Sequence, residues 1–198
     1  MTKLHYLTLY ISGPHITPGK QGNAIFTPNT GTTHGNVIDL GTHENDCLGS
    51  LSLCPNGVTL SLWFKIDSVF SWPMLMSSTY FVIGMDEIPG APGSVKVKSH
   101  SLNVTHEITY YELYIVQPNV WTHFALTYNV NSGYEFFQDG CKLTKESKNT
   151  YIKETAPVIK NFELGCSKGS NCVKFAYDDF KFWSTAKDEQ FMWWLANG

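Results

Sequence analysis

The chain contains no arginine, and among its 198 residues that absence excludes the most. All 14 Lys plus Arg positions are lysine, set against 17 Asp plus Glu, for a formal net charge of −3. Recognition of phosphates and guanines leans on the bidentate guanidinium fork, and no basic cluster replaces it, so a nucleic-acid partner is not expected. The densest lysine stretch, Cys141 to Lys153, carries Lys142, Lys145, Lys148 and Lys153 but also Glu146, and reads as a solvated loop. Charge as a whole is sparse at 16% of residues. An average soluble domain has roughly 25%, so disorder and coiled coil are both poor readings. No run of about 18 apolar residues exists, and no membrane span is expected. The opening Leu4 to Ile11 is interrupted by polar residues and lacks a small-residue cleavage site, so it reads as a strand rather than a signal peptide. If the protein is secreted, its leader has been removed and Met1 is not its natural start.

Metal and catalytic signatures are also missing. The 5 Cys include no C-x-x-C pair and the histidines no ligand spacing, which argues against zinc. Gly165-Cys-Ser167-Lys-Gly169 matches G-x-S-x-G. In α/β-hydrolases, however, that elbow needs a strand–turn–helix context and a later histidine, and the last histidine here is His123. We read it as a Gly-rich loop at a strand end. Glycosidases need two carboxylates flanking one bond, and no E-x-D-x-E run occurs. Asp178 and Asp179, adjacent in an extended segment, are expected on opposite faces. No enzymatic activity is expected.

What is present is aromatic and alternating. The chain is 42% hydrophobic and 14% aromatic, with 16 Gly and 9 Pro, enough for one core and a single domain over residues 1–198. Period-two segments between Gly, Pro, Asn and Ser predict an all-β, two-sheet antiparallel β-sandwich. The strands are expected at Val58–Asp67, Tyr80–Gly84, Val95–Val104, Glu107–Val116, Trp121–Asn129, Tyr134–Asp139, Val158–Leu164 and Val173–Trp183, with Val130 to Gly133 as a hairpin turn. One short C-terminal helix is expected, capped by Thr185, with Asp188 and Glu189 near its positive end. Phe191, Trp194 and Leu195, at i, i+3 and i+4, should dock it on the sheets.

If the aliphatic and Phe positions mark the core face, then Trp63, Trp121, His123 and Trp183 fall on the opposite one. Aromatic rings are good platforms for sugar faces, which makes these four candidate ligand contacts. The competing reading is a second minicore, covered by loops or the helix. Trp72, between Ser71 and Pro73, is a further candidate contact, and Asn103-Val-Thr105 is an N-glycosylation sequon.

In order along the chain, Gly19-Lys-Gln-Gly-Asn-Ala24, Asn36-Val-Ile-Asp-Leu-Gly41, Cys47-x6-Cys54-Pro-Asn-Gly-Val-Thr-Leu-Ser-Leu-Trp-Phe-Lys65, Trp121-Thr-His-Phe-Ala-Leu-Thr-Tyr128, Gly133 to Gly140, Phe162-Glu-Leu-Gly165, Tyr177-Asp-Asp-Phe-Lys-Phe-Trp183 and Thr185 to Leu195 resemble one family. It is the laminin-G-like and pentraxin-like modules of the concanavalin A-like jelly roll. The Cys-loop-Cys and the strand after it resemble extracellular versions, including those at the N-termini of adhesion G-protein-coupled receptors. The resemblance implies a jelly roll. It says less of function, since the fold hosts lectins, glucanases and adhesion modules alike.

With it comes a reading of the cysteines. Cys47 and Cys54 are expected to close a disulfide loop in an oxidising compartment, the alternative being two unlinked buried thiols. Among Cys141, Cys166 and Cys172 we favour a Cys141–Cys166 bridge, since both follow a strand-ending Gly, over Cys166–Cys172; one thiol is left over. Where pentraxins carry an acidic cluster for calcium, this chain has Cys166-Ser-Lys-Gly-Ser. The resemblance still leaves room for a structural calcium at Asp178 or Asp179. It implies a non-catalytic extracellular recognition module of a larger adhesion or receptor protein, binding a protein or glycan, or alternatively a lectin-like carbohydrate-binding domain, with or without calcium.

Overall fold

The alternating stretch Val58–Ile66 is a nine-residue strand, and one sheet is assembled on both its edges. The computed structural model describes residues 15–27, 37–43, 46–47, 53–67, 74–77, 81–86, 94–100, 105–112, 116–129, 131–143, 145–146, 152–153, 161–165 and 174–198. Sheet A has seven strands, in spatial order β1 (His15–Pro18), β2 (Asn23–Thr27), β15 (Phe175–Trp183), β4 (Val58–Ile66), β9 (Thr122–Asn129), β10 (Gly133–Gln138) and β11 (Cys141–Lys142). Sheet B runs β12 (Lys145–Glu146), β8 (Thr105–Glu112), β7 (Ser94–His100), β6 (Phe81–Asp86), β5 (Met74–Ser77), β14 (Glu163–Gly165) and β3 (Val37–Asp39), with β13 (Ile152–Lys153) also on β8. Every pairing is antiparallel. The fold is therefore the predicted two-sheet jelly roll with one C-terminal helix, α1 (Glu189–Asn197). The predicted strand at Leu4 to Ile11 lies outside the described residues.

The core between the sheets gathers Val58, Leu60, Leu62, Phe64 and Ile66 of β4 with Phe124, Leu126, Phe136, Phe162, Phe175 and Tyr177, and with Ile38 and Leu164 from sheet B. Burying each large side chain stabilises the fold by about 1.5–3 kcal/mol, so this aromatic set dominates its energetics. At the β9–β10 turn the Asn131 N–H donates to Asn129 Oδ1 at 2.9 Å, an Asx bond that fixes the hairpin. Gly57 precedes β4 at φ +77, where a Cβ would lie 2.4 Å from the Tyr128 carbonyl oxygen and 2.7 Å from Ala186 Cβ. Only glycine fits there.

Two expectations need correction. Strict alternation fails in β15: Asp178 pairs with Trp63 but Lys181 with Ser61, so a bulge inserts one residue, and Asp179 takes φ 51. Asp179 consequently meets Lys181 instead of pointing to the face opposite Asp178. The helix cap also moves. Asp188, not Thr185, is the N-cap, its Oδ1 accepting from Phe191 N at 2.9 Å. The Thr185 carbonyl instead accepts from Thr59 Oγ1 at 2.9 Å, which ties the approach segment to β4 before the helix starts.

The helix covers the outer face of sheet A. Met192 is fully buried against Ala125 of β9 and Phe137 of β10, with Leu195 beside it. Trp194, expected to dock, is exposed; its place inward is taken by Met192.

Candidate functional site

The outer face of β4 and β9 was the predicted aromatic platform. Trp63 and His123 are cross-strand partners there, with ring centroids 5.1 Å apart. Ser61 Oγ and His123 Nε2 are 2.8 Å apart. The backbone holds the histidine in place: His123 N donates to Asp139 Oδ1 at 2.8 Å, and Asp139 N to the His123 carbonyl at 2.9 Å. Trp63 is only 6% exposed and His123 1%. The Lys20 ammonium lies 4.7 Å above the Trp63 ring. Both rings are thus nearly closed to solvent, with the Lys20 ammonium over Trp63.

Burial lowers the pKa of His123 to about 4, the negative charge of Asp179 opposing the shift and Lys181 adding to it, so the ring is neutral at physiological pH. Its Nδ1 is buried with no hydrogen-bond partner among the described residues. A Ser–His pair is the arrangement of nucleophilic catalysis. Here both members are buried, and among the described residues no carboxylate orients Nδ1.

The other predicted contacts scatter. Trp121 is half-buried under the Lys65 ammonium, 5.0 Å from its ring. Trp183 is half-buried edge-on to Phe191, at 5.3 Å. Trp72, Asn103, Cys166 and Cys172 lie outside the described residues. Cys47 and Cys54 are joined as a disulfide with Cα atoms 5.1 Å apart. Cys166, the expected partner of Cys141, lies outside the described residues, and Cys141 is a free, exposed thiol. It opens β11 at the rim of sheet A, whereas Gly165, the residue before Cys166, lies in sheet B between β5 and β3.

The carboxylates singled out for calcium have other engagements. Asp178 Oδ2 accepts from Gln21 N at 2.9 Å. Asp179 Oδ2 accepts from Lys181 Nζ. Among the described residues no three His, Cys, Asp or Glu side chains gather.

A different open site exists, and sequence reasoning missed it. A groove of about 690 Å³ runs between the β10–β11 turn and the helix, lined by Gly140, Cys141, Lys142, Glu189, Gln190 and Trp193. Trp193 is 57% exposed. Glu189, Gln190 and Trp193 sit at i, i+1 and i+4, so one stripe of α1 makes that wall. Gly140 makes the close approach possible at φ +80, where a Cβ would lie 2.9 Å from Trp193 Cα. The available signal was the Trp193–Trp194 tandem. With Met192 turned inward, both rings of that tandem are left outside.

No curated protein matches the chain by sequence. Solved structures do match in fold. The binding domain of Paraclostridial Mosquitocidal Protein 1 superposes with a TM-score of 0.69 at 14% identity, covering 96% of this chain and 47% of that one. Domain 4 of AbnA, a GH43 extracellular arabinanase from Geobacillus stearothermophilus, solved in complex with arabinotriose, gives 0.64 at 18% identity, covering 94% and 82%. The binding domain of Botulinum neurotoxin DC in complex with rat synaptotagmin II gives 0.65 at 13%, covering 93% and 45%. The chain thus spans about half the length of the toxin binding domains. At these identities the likeness concerns the fold. The laminin G family model described as concanavalin A-like lectin/glucanases superfamily matches residues 40–190, more than half of the sequence, and the chain belongs to that family.

Proposed function

We propose that this chain is a non-catalytic extracellular recognition module, a single domain of a larger adhesion or receptor protein, that binds a protein or glycan ligand. The observation that carries the reading is a contrast in access. Among the described residues the Ser61–His123 pair, an arrangement with catalytic chemistry, is sealed, while the exposed Trp193 stands in an open groove. Tryptophan at an accessible concave site is a feature of recognition surfaces. The Cys47–Cys54 disulfide supports an oxidising compartment, and no helix among the described residues is long and apolar enough to cross a membrane. The fold neighbours support it too, being binding domains of toxins and an arabinanase domain solved with a sugar. The context of an adhesion receptor rests on the sequence resemblance.

A lectin-like reading is the second, favoured by the mixed polar and aromatic lining of the groove. The test is binding of the immobilised domain to a glycan array and to solubilised cell-surface proteins, with and without chelator. Selective capture of either class supports the recognition reading. Turnover of β-glucan, galactan or ester substrates that vanishes on substituting one side chain would refute it.

A further inference from the structure

We infer that the groove between the β10–β11 turn and α1 is a binding subsite for a neutral oligosaccharide, with Trp193 as its stacking platform and Glu189, Gln190 and Lys142 as its hydroxyl-directed polar groups. The inference rests on the lectin-like reading and goes beyond it by fixing the site and the ligand's charge.

Saccharides present apolar C–H faces rimmed by hydroxyl groups. A matching site offers one exposed ring and a few donors and acceptors around it. The groove has that composition. The Trp193 indole lies on one stripe of α1 with the Glu189 carboxylate and the Gln190 amide, and the Lys142 ammonium stands across from them on β11. It is shallow and wide open to solvent, so a saccharide there would lie with one face on Trp193 and the other in water.

The charges select against acidic sugars. Lys142 Nζ donates to Glu135 Oε1 at 2.8 Å, so its charge is already offset. Across the lining itself Lys142 and Glu189 balance, so the groove carries no net charge. The positive end of the helix is capped by Asp188, which takes the Phe191 N–H and adds another carboxylate. A sialylated, sulfated or phosphorylated ligand would find no net positive charge there, since Lys187 on the approach to the helix is matched by Asp188. A peptide is disfavoured for a different reason. Strand addition needs a run of unpaired main-chain groups, and β11 has two residues.

The test uses the whole chain and a panel of arabinotriose, cellotriose and N,N′-diacetylchitobiose at millimolar concentration. Binding is read by saturation-transfer NMR and by tryptophan fluorescence. At least one of these should bind, Trp193→Ala should weaken it about tenfold, and Trp194→Ala should leave it unchanged. Alkylating Cys141 with a bulky maleimide should block it, since that thiol lines the groove and is exposed. Both tryptophans are exposed, so unchanged thermal unfolding of the variants separates loss of a contact from loss of fold. A saccharide bound equally by Trp193→Ala and by the Cys141 adduct overturns the inference and leaves the lectin-like reading standing. Binding by none of the panel overturns the inference, and protein capture then decides the broader reading. Tighter binding of a sialylated analogue than of its neutral parent would also overturn it.

Discussion

Trp63 and His123 meet across β4 and β9 with ring centroids 5.1 Å apart, and the imidazole lies closed off from water with one nitrogen on Ser61 and the other unbonded. Charging that ring inside the folded protein is costly. The His123 pKa is lowered from 6.5 to about 4, chiefly by burial. At pH 7 the folded ring is neutral and the unfolded one only about a quarter protonated, so little proton is taken up on unfolding. As pH falls below 6.5 the unfolded chain takes up a proton that the folded one refuses. Stability therefore drops between about pH 6.5 and 4, by roughly 3 kcal/mol in total. Urea unfolding across this range should show uptake of about one proton that His123→Gln abolishes. An unchanged slope in the variant would mean that other groups carry the acid sensitivity.

The disulfide sets a second expectation. Cys47 and Cys54 close a short loop beside the first residues of β4, and Cys54 packs into the main core. Replacing both with alanine should cost about 2–3 kcal/mol by loop-closure entropy. Peptide mapping without reduction should find Cys47 joined to Cys54, and Cys141 should react with iodoacetamide in the folded protein. Protection of Cys141 from the reagent would contradict its exposed position.

The strands were legible because a half-buried or sandwiched strand writes its period of two directly, as Val58 to Ile66 does. The bulge at Asp179 was not. A left-handed residue is usually announced by glycine, and here an aspartate occupies it. The helix was legible in place but not in rotation. Phe191 to Ala196 are six apolar residues in a row, and only the position of Ala125 and Phe137 beneath them decides that Met192 turns inward. The groove was hidden for a related reason. Its two walls come from residues 140–142 and 189–193, joined by tertiary packing alone. The buried Trp63–His123 pair shows the limit from the other side: period two marks which face a ring is on, not whether something covers it.

Gly140 positions the groove, and its replacement should be felt on both sides. A Cβ there meets Trp193 Cα at 2.9 Å and Asn197 Nδ2 at 3.1 Å, and φ +80 disfavours any L side chain. Gly140→Ala should destabilise the protein by about 1–3 kcal/mol and push α1 outward. Thermal unfolding reads the first effect, and a shift in tryptophan emission the second. A melting temperature equal to that of the parent would show that the helix adjusts without cost.

Chelation probes the acidic pair on β15. A resident calcium ion contributes stability through its binding free energy, about 2.7 kcal/mol at a hundredfold excess over Kd, so stripping it lowers the melting temperature by several degrees. Asp178 is instead held by the Gln21 N–H, and Asp179 by the Lys181 ammonium, bonds that EDTA does not touch. Melts with EDTA and with added calcium should therefore coincide. Lys181→Met should separate the two accounts further. It removes the partner of Asp179, and if the carboxylates then acquired calcium, a metal-dependent rise in melting temperature would appear in the variant alone. A large EDTA effect on the parent protein would instead show that carbonyl oxygens complete a calcium site around Asp178.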